Sequence, residues 1–242
     1  MPQLTQAAVT QLLAEQIEAA LPRQLLDRDH PDYGALVSPD WGIADPSHGG
    51  TTPVVAGCVL LALAGRPEFV PHATLAANYL LRAQRPSGLI DLQNCNYDSS
   101  PDTGFAVQLL CAALALGRAR AGQDAEYDAL LARIEQFVRR AVPGMLTGGF
   151  HTPNHRWVIA AALAQAGALC PDLPVGPTIT AYLAEGFDLD DEGMYLERSA
   201  GVYDAVCDRS LLLLADCWDA PGAREAARAN LRLNLHLLHA DG

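Results

Sequence analysis

Aromatic and basic residues are scarce in this chain of 242 residues. Phe, Trp and Tyr together make up 6% of the sequence, and 16 Lys or Arg residues face 28 Asp or Glu residues, for a formal net charge of −12. Contact with nucleic-acid phosphates needs clustered Lys and Arg, so this composition argues against a nucleic-acid partner. The same charge suits an anionic substrate only where the basic residues gather locally.

The sequence also lacks the segments that target a chain to a membrane or to export. No uninterrupted apolar run approaches the ~20 residues that a membrane-spanning helix needs. Residues 1–6 have neither the basic start nor the long apolar stretch of a secretory signal. We therefore expect no membrane partner and a cytoplasmic location, unless a leader has been trimmed from the chain.

Motifs for metals and common cofactors are missing as well. The six cysteines form no CxxC pair and have no zinc-like spacing with histidine. There is no phosphate-binding glycine loop, no G-x-S-x-G elbow and no HExxH. The sequence therefore predicts neither a metal nor a cofactor.

What the chain does have is an excess of Ala and Leu within a 50% hydrophobic composition, which favours helix over strand. No segment is predicted to be a strand. A polar loop followed by an apolar helix recurs with a period of about 50 residues, as in helical arrays. The helix starts that define this period are capped by Thr52, Ser100, Thr152 and Ser199. Helices are predicted over residues 5–26, 51–64, 69–84, 100–116, 124–142, 152–169, 174–185, 199–218 and 223–239.

Each repeat pairs an almost wholly apolar helix with a more amphipathic one. A helix that is apolar all round is buried, whereas one with a polar face is peripheral. Short connectors make each pair antiparallel, so all the long loops fall at one end of the fold. We predict an all-α fold of repeated antiparallel hairpins that form an incomplete (α/α) toroid, in a single domain over residues 1–242. The alternative is a generic α-solenoid.

The third repeat has the most chemistry at its helix start. Thr152 fits the N-cap, where its hydroxyl can accept a backbone N–H, and Pro153 fits the first helical position. Asn154, His155 and Arg156 then occupy the first turn, beside unpaired backbone N–H groups. This content distinguishes the third repeat from the first two.

The predicted loop end as a whole resembles a carbohydrate site, with rings to stack on sugar faces and amides, carboxylates and cations for the polar groups. The predicted catalytic residues are Asn154, His155, Tyr195, Tyr203 and Arg198. The predicted substrate-binding residues are His48, Asn96, Tyr97, Asp98, Asp102, His151, Arg156, Trp157 and Glu197.

Elimination from a uronic-acid glycan needs three groups, which these residues can supply. Asn154 or an arginine can neutralise the C5 carboxylate, aided by the helix N-terminus. His155 can take the C5 proton, because partial burial and the helix dipole keep an imidazole neutral. Tyr195 or Tyr203 can serve as the acid, or as a base beside arginines.

Other interpretations of the same residues stay open. A glycoside hydrolase could use a carboxylate pair drawn from Asp98, Asp102 and Asp188, if the carboxyl groups lie about 5–10 Å apart. His155 and Arg156 could instead pair with Glu197 or Asp188 simply to tie two loops together. The third possibility is a non-catalytic module for glycan binding or scaffolding.

Several segments resemble the N-terminal toroid of heparinase II/III-like polysaccharide lyases. They are the loop 94–103, the helix start at Asn154-His155 and the segment 195–199. The resemblance implies an incomplete toroid that binds an acidic oligo- or polysaccharide in a cleft, with an asparagine neutraliser and Tyr/His acid–base groups. It assigns these roles to Asn154 and to Tyr195 or Tyr203. That family usually adds a β-sandwich domain, so the resemblance implies either that the chain is the N-terminal part of a longer one or that it is a relative that works differently or not at all.

Overall fold

The computed structural model describes residues 5–238, and these are mostly helical. The helices are α1 (Gln6–Ala20), α2 (Thr51–Leu63), α3 (Val70–Ala83), α4 (Ser100–Gly117), α5 (Ala125–Thr147), α6 (Pro153–Leu169), α7 (Gly176–Ala184), α8 (Tyr203–Cys217) and α9 (Ala223–Leu237). Short 3-10 turns cover Leu21–Arg23, Pro67–Phe69 and Arg118–Arg120. The predicted all-α class is thereby confirmed at the level of helical content, and the predicted end of the last helix at residue 239 lies outside the described residues.

The helices form two layers. Within the described residues α2, α4, α6 and α8 pack side by side in one row, and α3, α5, α7 and α9 pack against that row from one side. The inner position of α6 follows from its composition, because almost every residue from Asn154 to Ala166 is buried. The buried apolar side chains of the two layers form one contiguous cluster.

One side chain joins three helices of the inner row. The amide of Gln108 in α4 donates both to the carbonyl oxygen of Val158 in α6 (3.1 Å) and to the hydroxyl of Ser210 in α8 (3.2 Å). Gln108 is buried, so this link lies inside the protein and fixes the three helices relative to one another.

Helix starts depart from the predicted caps in instructive ways. Thr152 occupies the N-cap of α6 as predicted, but its hydroxyl caps no backbone N–H. Ser99, not Ser100, caps α4 and accepts from the backbone N–H of Asp102 (3.2 Å). The first inner helix begins after Gly50, where Thr52 is already helical, and the last begins at Tyr203 rather than after Ser199.

The prediction that no segment forms a strand is wrong. Residues Ile90–Leu92 (β1) and Asn96–Ser99 (β2) form a small antiparallel hairpin, with Ile90 opposite Ser99 and Leu92 opposite Asn96. The hydroxyl of Thr103 in α4 accepts the backbone N–H of Ile90 (2.9 Å), which anchors the hairpin to the helix start. Because this support comes from outside the loop, the local sequence gave no sign of the hairpin.

Candidate functional site

Phe105, in the second turn of α4, lies at the centre of the polar residues at the loop end. The ring of His48 stacks on it with ring centres 4.5 Å apart, and His155 meets it edge-on at 6.3 Å. The guanidinium carbon of Arg209, in α8, lies 5.9 Å from the same ring centre. Helices α4, α6 and α8 and the loop before α2 thus contribute to one cluster. We call it the Phe105 cluster, and its residues are His48, Asp102, Phe105, His155 and Arg209.

Both histidines of the cluster have lowered pKa values. Burial lowers the pKa of His155, and the nearby Asp102 carboxylate opposes that shift. Packing on Phe105 likewise desolvates the ring of His48 and lowers its pKa, again against the Asp102 charge, although His48 keeps a solvent-exposed edge. Both imidazoles are therefore neutral at neutral pH and able to accept a proton.

One ring nitrogen of His155 makes no hydrogen bond within the described residues. Its Nδ1 is buried and has no hydrogen-bond partner among the described residues. The exposed His151 ring lies 6.1 Å away, and its charge also disfavours protonation of His155. A half-buried neutral imidazole of this kind is suited to proton transfer through its other nitrogen, Nε2.

Asp102 is held in a fixed orientation at the start of α4. Its Oδ2 accepts from the side-chain amide of Asn96 (3.0 Å) and from the hydroxyl of Ser99 (2.5 Å), and the residue is 6% exposed. The β1–β2 hairpin supplies Asn96, so the hairpin positions this carboxylate. Of the predicted substrate-binding residues, Asn96, Asp102 and His48 are thus brought together.

Asn154 and Glu197 bind each other tightly. One Glu197 oxygen accepts the backbone N–H of Asn154 (2.8 Å) and the other accepts its side-chain amide (2.6 Å). The same amide also donates to the Thr152 hydroxyl (3.0 Å). Glu197 therefore caps α6 in place of Thr152, and both amide hydrogens of Asn154 already have acceptors.

Arg156 and Trp157 point into the protein rather than toward the loop end. Arg156 is 3% exposed and pairs with Glu185 and Asp188, while Trp157 is fully buried with its ring 5.3 Å from that of Phe187. Arg156 therefore forms the ion pair with Asp188 that the alternative interpretation of the sequence predicted. Neither side chain offers a surface to a ligand.

The two predicted tyrosines lie in different environments. Tyr195 is 2% exposed and donates its hydroxyl to Asp208 (2.9 Å), and burial together with that carboxylate raises its pKa. Tyr203 is 45% exposed at the first position of α8, at the loop end. Tyr203 alone of the pair is accessible to a substrate. Arg198 is exposed as well, in a left-handed conformation (φ 52°).

Tyr97 and Asp98 form the outer face of the hairpin. Tyr97 is 64% exposed, its hydroxyl donates to the carbonyl oxygen of Gln93 (3.1 Å), and the guanidinium of Arg85 lies over its ring. Asp98 adopts a left-handed conformation and accepts from the hydroxyl of Ser87. Neither side chain contacts the Phe105 cluster, whereas Asp102, four residues later, belongs to it.

Sequence reasoning missed Phe105 and Arg209. Each lies within the first two turns of an inner helix, close to the preceding loop. An aromatic or charged side chain in that position faces the loop end, and this was the available signal. Arg209 is the more important of the two, because an anionic ligand needs a local cation in this strongly acidic protein and Arg209 provides one.

Nothing in the described part of the chain forms a metal site, since no group of three or more His, Cys, Asp or Glu side chains is placed to hold an ion. Between residues 5 and 238, no helix is long and apolar enough to cross a membrane. Comparison with protein-family models, with curated proteins and with solved structures found no match.

Proposed function

We propose that the protein is a polysaccharide lyase that cleaves a uronic-acid-containing glycan by β-elimination. The observation that carries the proposal is the Phe105 cluster, in which a neutral, half-buried His155 and the Arg209 guanidinium both lie against one aromatic ring. Elimination needs a base for the C5 proton and a cation for the adjacent carboxylate. The row of inner helices α2, α4, α6 and α8, each followed by an outer helix, is compatible with the incomplete toroid that this proposal assumes.

In this mechanism His155 removes the C5 proton, and the C–H electrons form the C4–C5 double bond as the C4–O bond breaks. Arg209 stabilises the negative charge that develops on the C5 carboxylate, which makes the proton more acidic. The departing oxygen takes a proton from the exposed phenol of Tyr203. His48 and Asp102 orient the sugar beside Phe105.

This assignment differs from the sequence-based one in two roles. Asn154 is bound to Glu197 and Thr152, so Arg209 replaces it as the neutralising group. Tyr195 is buried against Asp208, which leaves Tyr203 as the acid. Asn154 and Glu197 then act by fixing the start of α6, where His155 sits.

The carboxylate pair of the hydrolase alternative has less support. Asp98 is on the outer face of the hairpin, Asp188 is paired with the buried Arg156, and Asp102 is held by Asn96 and Ser99. Each carboxylate is therefore in a separate environment with partners of its own.

The test is the rise in ultraviolet absorbance from unsaturated uronate on incubation with a panel of uronic-acid polysaccharides. We expect His155→Gln and Arg209→Gln each to lower kcat/KM at least about 100-fold, the scale of losing a proton-transfer group or a charge-stabilising donor. The matched controls His236→Gln and Arg232→Gln, both on exposed positions of α9, should retain activity. The acid limb of the kcat/KM profile should lie below the ordinary histidine pKa of 6.5.

Other outcomes would redirect the assignment. Reducing ends without an absorbance rise would favour the hydrolase, and binding without either product would favour a glycan-binding module. Full activity in His155→Gln would remove the base from the mechanism.

A further inference from the structure

A second polar cavity lies at the loop end, beside the C-terminus of α3. Its volume is about 170 Å³, room for about five water molecules or one small ring-shaped polyol. The first loop, the end of α3 and the β1–β2 hairpin each provide part of the wall. The polar wall residues are Asp32, Tyr79, Arg82, Asp91 and Gln93.

Tyr79 is the buried polar group of this cavity. Its side chain is 2% exposed, and its hydroxyl has no hydrogen-bond partner among the described residues. The charges that act on the phenol include Asp32, Arg82 and Asp91, which are all cavity walls. Tyr79 is itself one of the residues that line the cavity. Burial and these carboxylates raise its pKa, so the group remains a protonated donor.

A buried donor without an acceptor is unfavourable, and a ligand oxygen in the cavity would satisfy it. By contrast, Tyr127 and Tyr195, which are equally buried, both donate to protein oxygens. Tyr79 is thus the exception among the fully buried tyrosines of the described chain.

The wall offers donors and acceptors with nearly balanced charge. Asp91 is already bound bidentately by Arg85 (2.6 and 2.7 Å), and Arg82 uses one N–H on the carbonyl oxygen of Tyr33. The Asp32 carboxylate has no donor within hydrogen-bond distance among the described residues, and the other N–H groups of Arg82 remain. A wall of this kind suits hydroxyl groups, which both donate and accept, better than a ligand with a net charge.

A small recess adjoins the cavity at Gln93. Gln93 lines both the cavity and a small neighbouring recess of about 20 Å³, which is walled by Trp41, Ile43, Asp45, Leu92 and Asn94 as well. Trp41 is 60% exposed and offers an indole face to a sugar ring. Asp45 is on the same loop as His48 and accepts the backbone N–H of Ser47 (2.8 Å). Its negative charge contributes a rise to the pKa of both His48 and Tyr79.

We propose that the Tyr79 cavity binds a neutral sugar residue through the Tyr79 hydroxyl, the Asp32 carboxylate and the Arg82 guanidinium, with Trp41 beside the adjoining recess. The proposal rests on the proposed function for the kind of polymer. It adds that the substrate carries an uncharged residue next to the uronate segment, or at its end.

The test is a binding titration by ligand-observed NMR, which involves no turnover. The probes are methyl β-glucoside as the neutral sugar, glucosamine as the cation and glucuronate as the anion. We expect the neutral probe to bind more tightly than both charged ones. Tyr79→Phe should weaken its binding about fivefold, the scale of one lost hydrogen bond, and Asp32→Asn should weaken it as well.

Two controls separate this proposal from folding effects and from the lyase assignment. Tyr127→Phe removes a buried tyrosine hydroxyl away from the cavity and should leave binding unchanged. His155→Gln should abolish elimination and leave binding of the neutral probe intact. Unchanged binding in Tyr79→Phe, tighter binding of a charged probe, or no binding of the neutral sugar would each overturn the proposal.

Discussion

Asp208 gives the sharpest test of the electrostatics beneath the candidate site. Its Oδ1 accepts the Tyr195 hydroxyl, while its Oδ2 is buried with no partner among the described residues. Burial, with a smaller contribution from the Asp204 charge, raises the pKa of Asp208 to about 6 from an ordinary value of 3.8. The carboxylate is therefore more costly to ionise in the folded protein than in the unfolded chain.

The sign of the pH dependence follows directly. Between pH 3.8 and about 6 the unfolded chain has released this proton and the folded protein still binds it. The free energy of unfolding therefore falls as pH rises through this window, and it levels off above the folded-state pKa. A shift of about two units corresponds to about 3 kcal/mol of lost stability.

The perturbation is Asp208→Asn, which removes the ionisation and leaves an oxygen for the Tyr195 hydroxyl. Any effect of the amide itself on stability is independent of pH, so the informative quantity is how the difference between variant and parent changes with pH. We expect that difference in the free energy of unfolding to grow by about 2.4 kcal/mol, in favour of the variant, between about pH 4 and pH 7. Urea unfolding at constant ionic strength measures it.

Tyr195→Phe provides a second arm. The Tyr195 hydroxyl favours the ionised form of Asp208, so its removal should move the midpoint of the transition above pH 6. Parallel pH profiles for the parent and Asp208→Asn would refute the reasoning, because they would mean that Asp208 ionises as freely in the folded protein as in the unfolded chain.

Two further predictions concern how the loops hold the site. Glu197→Gln should lower the free energy of unfolding by about 1.5–3 kcal/mol, the range for hydrogen bonds to a charged group, because Glu197 accepts two hydrogen bonds from Asn154. Glu192→Gln, at an exposed position, is the matched control. Equal effects of the two substitutions would refute the Glu197 cap. Gly88→Ala should destabilise far more than Gly65→Ala in the same urea assay. Both glycines have positive φ, a conformation that costs an alanine about 1–3 kcal/mol at either position. A Cβ at Gly88 would also lie 1.7 Å from the Arg140 carbonyl oxygen, whereas Gly65 has open space around it. Similar losses of stability in the two variants would contradict this close approach.

The resemblance to heparinase II/III-like lyases remains a proposal. It named the start of α6 as the important segment, and His155 and Asn154 do lie there. However, the contacts of Asn154 and Tyr195 differ from what the resemblance implied, because both side chains are already bonded within the protein. The Phe105 cluster provides an alternative set of groups for the same chemistry.

The sequence by itself determined the helices and their layers. Their apolar spacing and Ala/Leu content are local properties, so the bounds of α3, α6 and α9 follow the predicted ones to within about two residues, where helix ends are generally uncertain. The recurrence of loop and apolar helix likewise predicted that α2, α4, α6 and α8 form the inner row.

Only the tertiary structure decided which side chains meet. Glu197 caps α6 from 43 residues away, Arg209 reaches Phe105 from another helix, and Tyr195 turns inward to Asp208. A helix start presents the same unpaired N–H groups whichever carboxylate arrives to accept them, so the local sequence could not select the partner. Helical periodicity depends on neighbours along the chain, whereas the site depends on contacts between residues that are far apart in the sequence.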